Sequence, residues 1–123
     1  DIGEFRRWVQ MNVKYPAEAL GKNIYGKVLV TFVIEKDGSV SDIQILQSPG
    51  KPLADEARRV IASSPAGAWT PGKQRGEAVR VKFGMPVDFA VQTSEGILHD
   101  KDTAQREGDM EEILVVGYGT QKK

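Results

Sequence analysis

The sequence predicts an α+β fold: a three-stranded antiparallel sheet of strand order 2-1-3, with two helices packed on one face and room for a fourth strand added by the tail. Three observations carry this. Two segments repeat apolar residues at helical spacing, two β-branched runs meet at Asp37-Gly38, and apolar residues occupy every second position from Val79 to Val91.

The first helix rests on Phe5, Trp8, Val9, Asn12 and Val13, which recur on one helical face. Tyr15-Pro16 ends it, because the residue before a proline is pushed out of the α region. Pro16 then opens a short second turn, Pro16 to Leu20, closed by Gly21. From Gly26, "GKVLVTFVIEKDGSVSDIQIL" reads as a hairpin about Asp37-Gly38. Its first strand is apolar on both faces, with Val28, Val30, Phe32 and Ile34 on one and Leu29 and Val33 on the other, which suits a central strand. In "PLADEARRVIASSP", Pro52 starts a helix whose stripe is Leu53, Ala57, Val60 and Ile61, and Pro65 closes it.

The third strand spans Ala78 to Gln92. Its odd positions, Val79, Val81, Phe83, Met85, Val87, Phe89 and Val91, are all apolar, which marks a strand buried on one face. The preceding helix acts as a crossover, and a right-handed crossover lays this strand beside the first and antiparallel to it, as an edge. Pro86 cannot donate to a ladder, so its nitrogen must face away from the neighbouring strand. Backbone polar groups alternate sides along a strand. Arg80, Lys82, Gly84, Asp88 and Ala90 therefore present theirs outward. The edge carries the proline and flanking charges that discourage pairing, and also the open row of groups that strand addition uses.

Residues 93–110 are polar and aperiodic and read as a flexible linker, which divides a domain at 1–92 from a terminal segment at 111–123. Such a linker reaches roughly 20–25 Å, against a body radius of gyration of about 12 Å. The terminal segment can therefore return to the body. Parallel and antiparallel returns both fit, as do docking in cis and strand exchange between molecules.

Bulk properties exclude more than they select. The 123 residues balance 17 basic against 17 acidic side chains, which gives no global pull toward nucleic acid. Residues 1–92 nonetheless hold 13 Lys/Arg and 10 Asp/Glu, and the remainder 4 and 7, so a basic body carries an acidic tail. Without cysteine there is no disulfide framework and no thiol chemistry. The chain has no apolar run near 18 residues, so it reads as soluble; beginning at "DIGEF" without Met, it reads as a fragment or processed form.

"YPAEA", then "IYGKVLVTFVIEKDGSVSDIQIL", a helix with "DEARRVI", and "WTPGKQRGEAVRVKFGMPVDF" together resemble the C-terminal domain of TonB energy transducers, over about residues 5–92. The resemblance implies a periplasmic domain whose parent is anchored in the inner membrane by a segment absent here. It also implies that the domain binds the Ton box of an outer-membrane transporter by strand addition to the third strand, so that energy from the inner-membrane complex reaches substrate uptake. The implied peptide-binding residues are Arg80, Lys82, Gly84, Val87, Asp88, Phe89 and Ala90. Asn12 joins them as the amide nearest before Tyr15-Pro16. The alternative is a TonB-like sensor or structural domain of a larger membrane signalling protein, with a disordered tail.

The tail "EEILVVGYGTQKK" resembles the Ton-box region of SusC-type nutrient transporters. That makes Ile113, Leu114, Val115, Val116, Gly117 and Tyr118 a tethered, Ton-box-like strand, in a fusion of domain and ligand or in a transducer carrying a mimic of its own target. Arg80 and Lys82 near Glu111 and Glu112 would favour one register.

Other chemistries find no support. "VVGYGT" resembles a potassium-channel filter, which needs flanking membrane helices that the sequence lacks. His99 is the only histidine and lies in the linker, and the acidic residues Asp37, Asp42, Asp55 and Glu56 fit no calcium loop, so no metal or cofactor is expected. Asp55 and Glu56 suit the first turn of a helix, Trp8 and Trp69 a core, and Lys73, Gln74 and Arg75 a solvated loop. No catalytic triad or dyad is available, and the chain is not expected to be an enzyme.

Overall fold

The computed structural model describes residues 2–65, 69, 72–94, 96–98 and 113–118. Three helices and seven strands occur among them, in the order α1 (Ile2–Asn12), α2 (Ala17–Gly21), β1 (Gly26–Ile34), β2 (Val40–Gln47), α3 (Lys51–Ala62), β3 (Gly72–Gln74), β4 (Glu77–Val79), β5 (Val81–Thr93), β6 (Gly96–Leu98) and β7 (Ile113–Tyr118).

The turn between β1 and β2 forms where the Asp-Gly pair places it. Gly38 takes φ 86, the left-handed region that glycine enters without a Cβ penalty. The Asp37 carboxylate accepts from both the N–H and the hydroxyl of Ser39, at 3.0 and 2.6 Å, fixing the loop. In α3, Leu53, Ala57, Val60 and Ile61 are all fully buried, and the helix covers β1 and β2. Phe5 of α1 packs between Phe32 and Trp69, with ring centroids 4.8 and 5.1 Å away, and Trp8 meets Trp69 at 6.1 Å. Both tryptophans thus pack in or against the core.

The main sheet runs β2-β1-β5, all antiparallel, as the 2-1-3 order requires, with helices over the Val28/Val30/Phe32 face. It holds more than three strands. The short β6 pairs antiparallel with Val91 to Thr93, and β7 pairs in parallel with Val87 to Gln92. Residues 87–89 pair with both β1 and β7, and residues 91–92 with both β6 and β7. A strand has two edges, so β6 continues the β1 side beyond the end of β1, and β7 alone takes the other side.

Five sequence expectations need correction. The sheet has five strands and is mixed. Three helices form, because the Pro16 turn becomes the short α2, closed by Asn23 at φ 55 with Ile24 N–H donating to Ala19 C=O at 2.9 Å. The third strand is interrupted at Arg80: Glu77–Val79 pairs with Gly72–Gln74 in a separate ribbon about Arg75-Gly76, whose φ values are 55 and 82. Lys73 and Gln74 are exposed as expected, yet they form a strand. Finally, the span read as linker begins with structure, since Thr93 ends β5 and Gly96–Leu98 forms β6. His99 lies outside the described residues.

Candidate functional site

The outer edge of β5 and the strand that occupies it form the candidate site. Register pairs Val87 with Ile113, Asp88 with Leu114, Phe89 with Val115, Ala90 with Val116, Val91 with Gly117, and Gln92 with Tyr118. Side chains of paired residues share a face, so Ile113, Val115 and Gly117 turn toward the helices and Leu114, Val116 and Tyr118 away from them. Burial follows this alternation. Ile113 and Val115 are 2% and 6% exposed and join the core cluster with Val87 and Phe89, whereas Leu114 and Tyr118 are 47% and 69% exposed. Burying each of the two inward side chains contributes about 1.5–3 kcal/mol before ordering costs.

On the far side of β7, α1 supplies a polar clamp. The Gln10 carboxamide donates from Nε2 to the Leu114 carbonyl at 2.6 Å and accepts from the Leu114 N–H at its Oε1, at 3.1 Å. Both backbone groups of Leu114 therefore point away from β5. Because these groups alternate along a strand, those of Ile113, Val115 and Gly117 face β5, and Asp88, Ala90 and Gln92 present theirs to the incoming strand. Pro86, which has no N–H to give, sits on the same outward-facing phase just before the paired stretch.

Tyr15 roofs the C-terminal half of this edge. Pro16 keeps the Tyr15 backbone extended, and the ring stands edge-on to Phe89 at 5.4 Å while its hydroxyl donates to the Ile24 carbonyl. Burial, helped by the charge of Asp88, pushes the phenol pKa from 10.0 up to about 12. Gly117 lies directly beneath the ring: a Cβ there would fall 2.7 Å from Tyr15 Cδ2 and 2.9 Å from Leu20 Cδ1. On the opposite face Asp88, only 4% exposed, stands directly across from the equally enclosed Lys27 of β1, an opposite-charge cross-strand pair.

The sequence-derived residues divide. Val87, Asp88, Phe89 and Ala90 lie within the paired stretch, together with all of Ile113 to Tyr118. Arg80, Lys82 and Gly84 lie on or before β5 but outside that stretch. Arg80 turns the other way, donating from Nε and Nη2 to the Glu35 carboxylate at 2.9 and 3.0 Å. Those bonds, with one from Ser41, hold the Glu35 pKa down at about 2. Arg80 is thus engaged at the β1–β2 turn, and Glu111 and Glu112 lie outside the described residues. Asn12 also differs from expectation: its amide donates to Trp8 C=O in its own helix at 2.7 Å. Gln10 holds the strand instead. No local signal marked Gln10, because its partner is 104 residues away.

Among the described residues no group of His, Cys, Asp and Glu could hold a metal ion, and no helix is long and apolar enough to cross a membrane. What the edge offers chemically is a row of backbone donors and acceptors, an apolar trough over Val87 and Phe89, and an amide clamp.

No curated protein matches the chain. The solution structure of the TonB C-terminal domain of Helicobacter pylori is similar at 29% identity with a TM-score of 0.49, over 69% of this chain and 89% of that one. The sequence profile for the Gram-negative bacterial TonB protein C-terminal matches residues 11–91, more than half of the chain. Domains of that family are periplasmic, non-enzymatic protein-interaction modules that interact with outer-membrane transporters. With α1 from Met11 onward and the sheet through Val91 inside the match, this chain belongs to the family of TonB C-terminal domains.

Proposed function

We propose that the domain binds the Ton box of an outer-membrane transporter by parallel strand addition to the outer edge of β5, and so passes energy from the inner-membrane complex to substrate uptake. In this reading the partner is a SusC-like transporter, and residues 111–123 are a tethered copy of the same kind of ligand. The peptide-binding residues are Val87, Asp88, Phe89 and Ala90, with Gln10 as the clamp.

One observation carries the reading. The only strand on the outer side of β5, among the described residues, is Ile113–Tyr118, the segment that resembles a Ton box. Main-chain pairing supplies affinity in such an arrangement, and the alternate side chains entering the Val87/Phe89 trough supply selectivity. Tethering at roughly millimolar effective concentration keeps the site filled even by a weak ligand.

The test is amide hydrogen exchange by NMR on the intact chain at several concentrations. Protection is expected at the amides of Val115 and Gly117, which face β5, and at Leu114, held by Gln10. Independence of concentration assigns the contact to docking in cis, and dependence assigns it to exchange between molecules. Tail amides exchanging at random-coil rates would overturn strand addition and favour a sensor or structural domain with a passive tail.

A further inference from the structure

We propose that Tyr15 and Leu20 make the β5 edge selective for glycine, so that the partner strand is one in which a buried β-branched residue is followed two positions later by Gly. The inference rests on strand addition and names the class of strand admitted: apolar, any, β-branched, any, glycine, as in Ile113 to Gly117.

The geometry is one of space. Gly117 is buried on the helix side of β7. A Cβ at that position would lie 2.7 and 2.8 Å from Cδ2 and Cγ of Tyr15 and 2.9 Å from Cδ1 of Leu20, well inside the 3.5–4.0 Å at which carbon atoms attract. Leu20 meets it with the end of a flexible side chain and can yield. Tyr15 is pinned from three directions. Its hydroxyl donates to the Ile24 carbonyl, its ring stands against the fully buried Phe89, and its backbone is held extended by Pro16. The ring atoms in the way are Cγ and Cδ2, the root of the side chain, so no rotamer change at the tip clears them. The backbone of Gly117 does not require a positive φ, so alanine is excluded by the Tyr15 ring and not by conformation.

Selectivity of this kind also restricts register. A one-residue slip would turn Ile113 and Val115 outward. A two-residue slip keeps the faces: the one that brings Val115 under the ring is excluded, whereas the one that brings Gly119 there is admitted, because only glycine fits.

The test is Gly117→Ala in the full chain, read by tail amide exchange and by cross-strand nuclear Overhauser contacts between β5 and β7. In an open strand alanine is preferred to glycine, so without the gate protection of the tail would rise. With it, protection of Leu114 and Val115 is expected to fall about tenfold or more, as for overpacking of a filled site. A register shifted by two residues, with Gly119 opposite Val91, equally supports the gate. Unchanged or increased protection in the original register overturns the gate and leaves strand addition standing. An unprotected tail in the unsubstituted chain overturns both. Val116→Ala, on the outward face, controls for loss of side-chain bulk and is expected to keep the register.

Discussion

Gln10 and Leu114 share a closed pair of hydrogen bonds in which one side-chain amide takes both backbone groups of a single strand residue, as a further β-strand would. The clamp reads no side chain. Under the proposed strand addition it would add affinity for any strand lying in this register and leave discrimination to the inward positions.

Gln10→Ala removes both bonds. At about 0.5–1.5 kcal/mol net for each, protection of the tail amides is expected to fall roughly tenfold, with β1 and α3 unchanged. Asn12→Ala breaks only a bond within α1 and leaves the tail as protected as before. If Asn12 proved the sensitive position, the clamp is misassigned.

Val115 turns its N–H toward β5 and its side chain into the core. Val115→Pro deletes that donor and is expected to abolish docking while the body stays folded. Ile113→Ala weakens the same contact through lost burial, by about 2–5 kcal/mol in docking free energy. Exchange rates of residues 113–118 against those of Phe32 and Val60 separate tail release from unfolding, and a protected tail in the proline variant would sink strand addition.

Arg80 is assigned to Glu35 and not to the tail. In Arg80→Ala the Glu35 carboxyl pKa, held at about 2, is expected to rise toward its ordinary 4.5 while the Ser41 bond still holds it below that value, with tail protection unaffected. Because the folded-state value is the lower one, stability contributed by this group is fully present above pH 4.5 and is lost as pH falls toward 2. Carboxyl titration by NMR reads the first effect, and a drop in tail protection would return Arg80 to the peptide site.

Tyr15 acts in the opposite pH range. With its phenol at about 12 in the folded chain against 10.0 ordinarily, its contribution is intact below pH 10 and is lost as pH rises through 12. Phenolate absorbance should show a late step from Tyr15 that is absent in Tyr15→Phe. A Tyr15→Phe chain with an unchanged high-pH absorbance step would remove burial of this hydroxyl from the account.

Periodicity made the body of the fold legible. Leu53 to Ile61 carries a helical stripe, Val79 to Val91 alternates, and Asp37-Gly38 marks a turn, each within 13 residues. The break at Arg80 was hidden because the alternation runs straight through it, and the three-residue strands about Arg75-Gly76 are too short to show a period. Pro86 located the outward edge from sequence, since a missing donor has a definite direction. Gln10, and the fit of Gly117 beneath Tyr15, were not legible, for these residues meet only after α1, β5 and β7 have assembled.

Parallel pairing has a mechanical consequence. The strands β5 and β7 run in the same direction, and their hydrogen bonds lie across the strand axis. Tension applied along that axis, between the body and whatever continues from the bound strand, loads the bonds of Ile113 to Tyr118 together in shear. Tension across the axis would open them one at a time. A strand held this way resists a lengthwise pull well beyond what its equilibrium affinity suggests, and single-molecule extension along the two directions is expected to give the higher rupture force lengthwise.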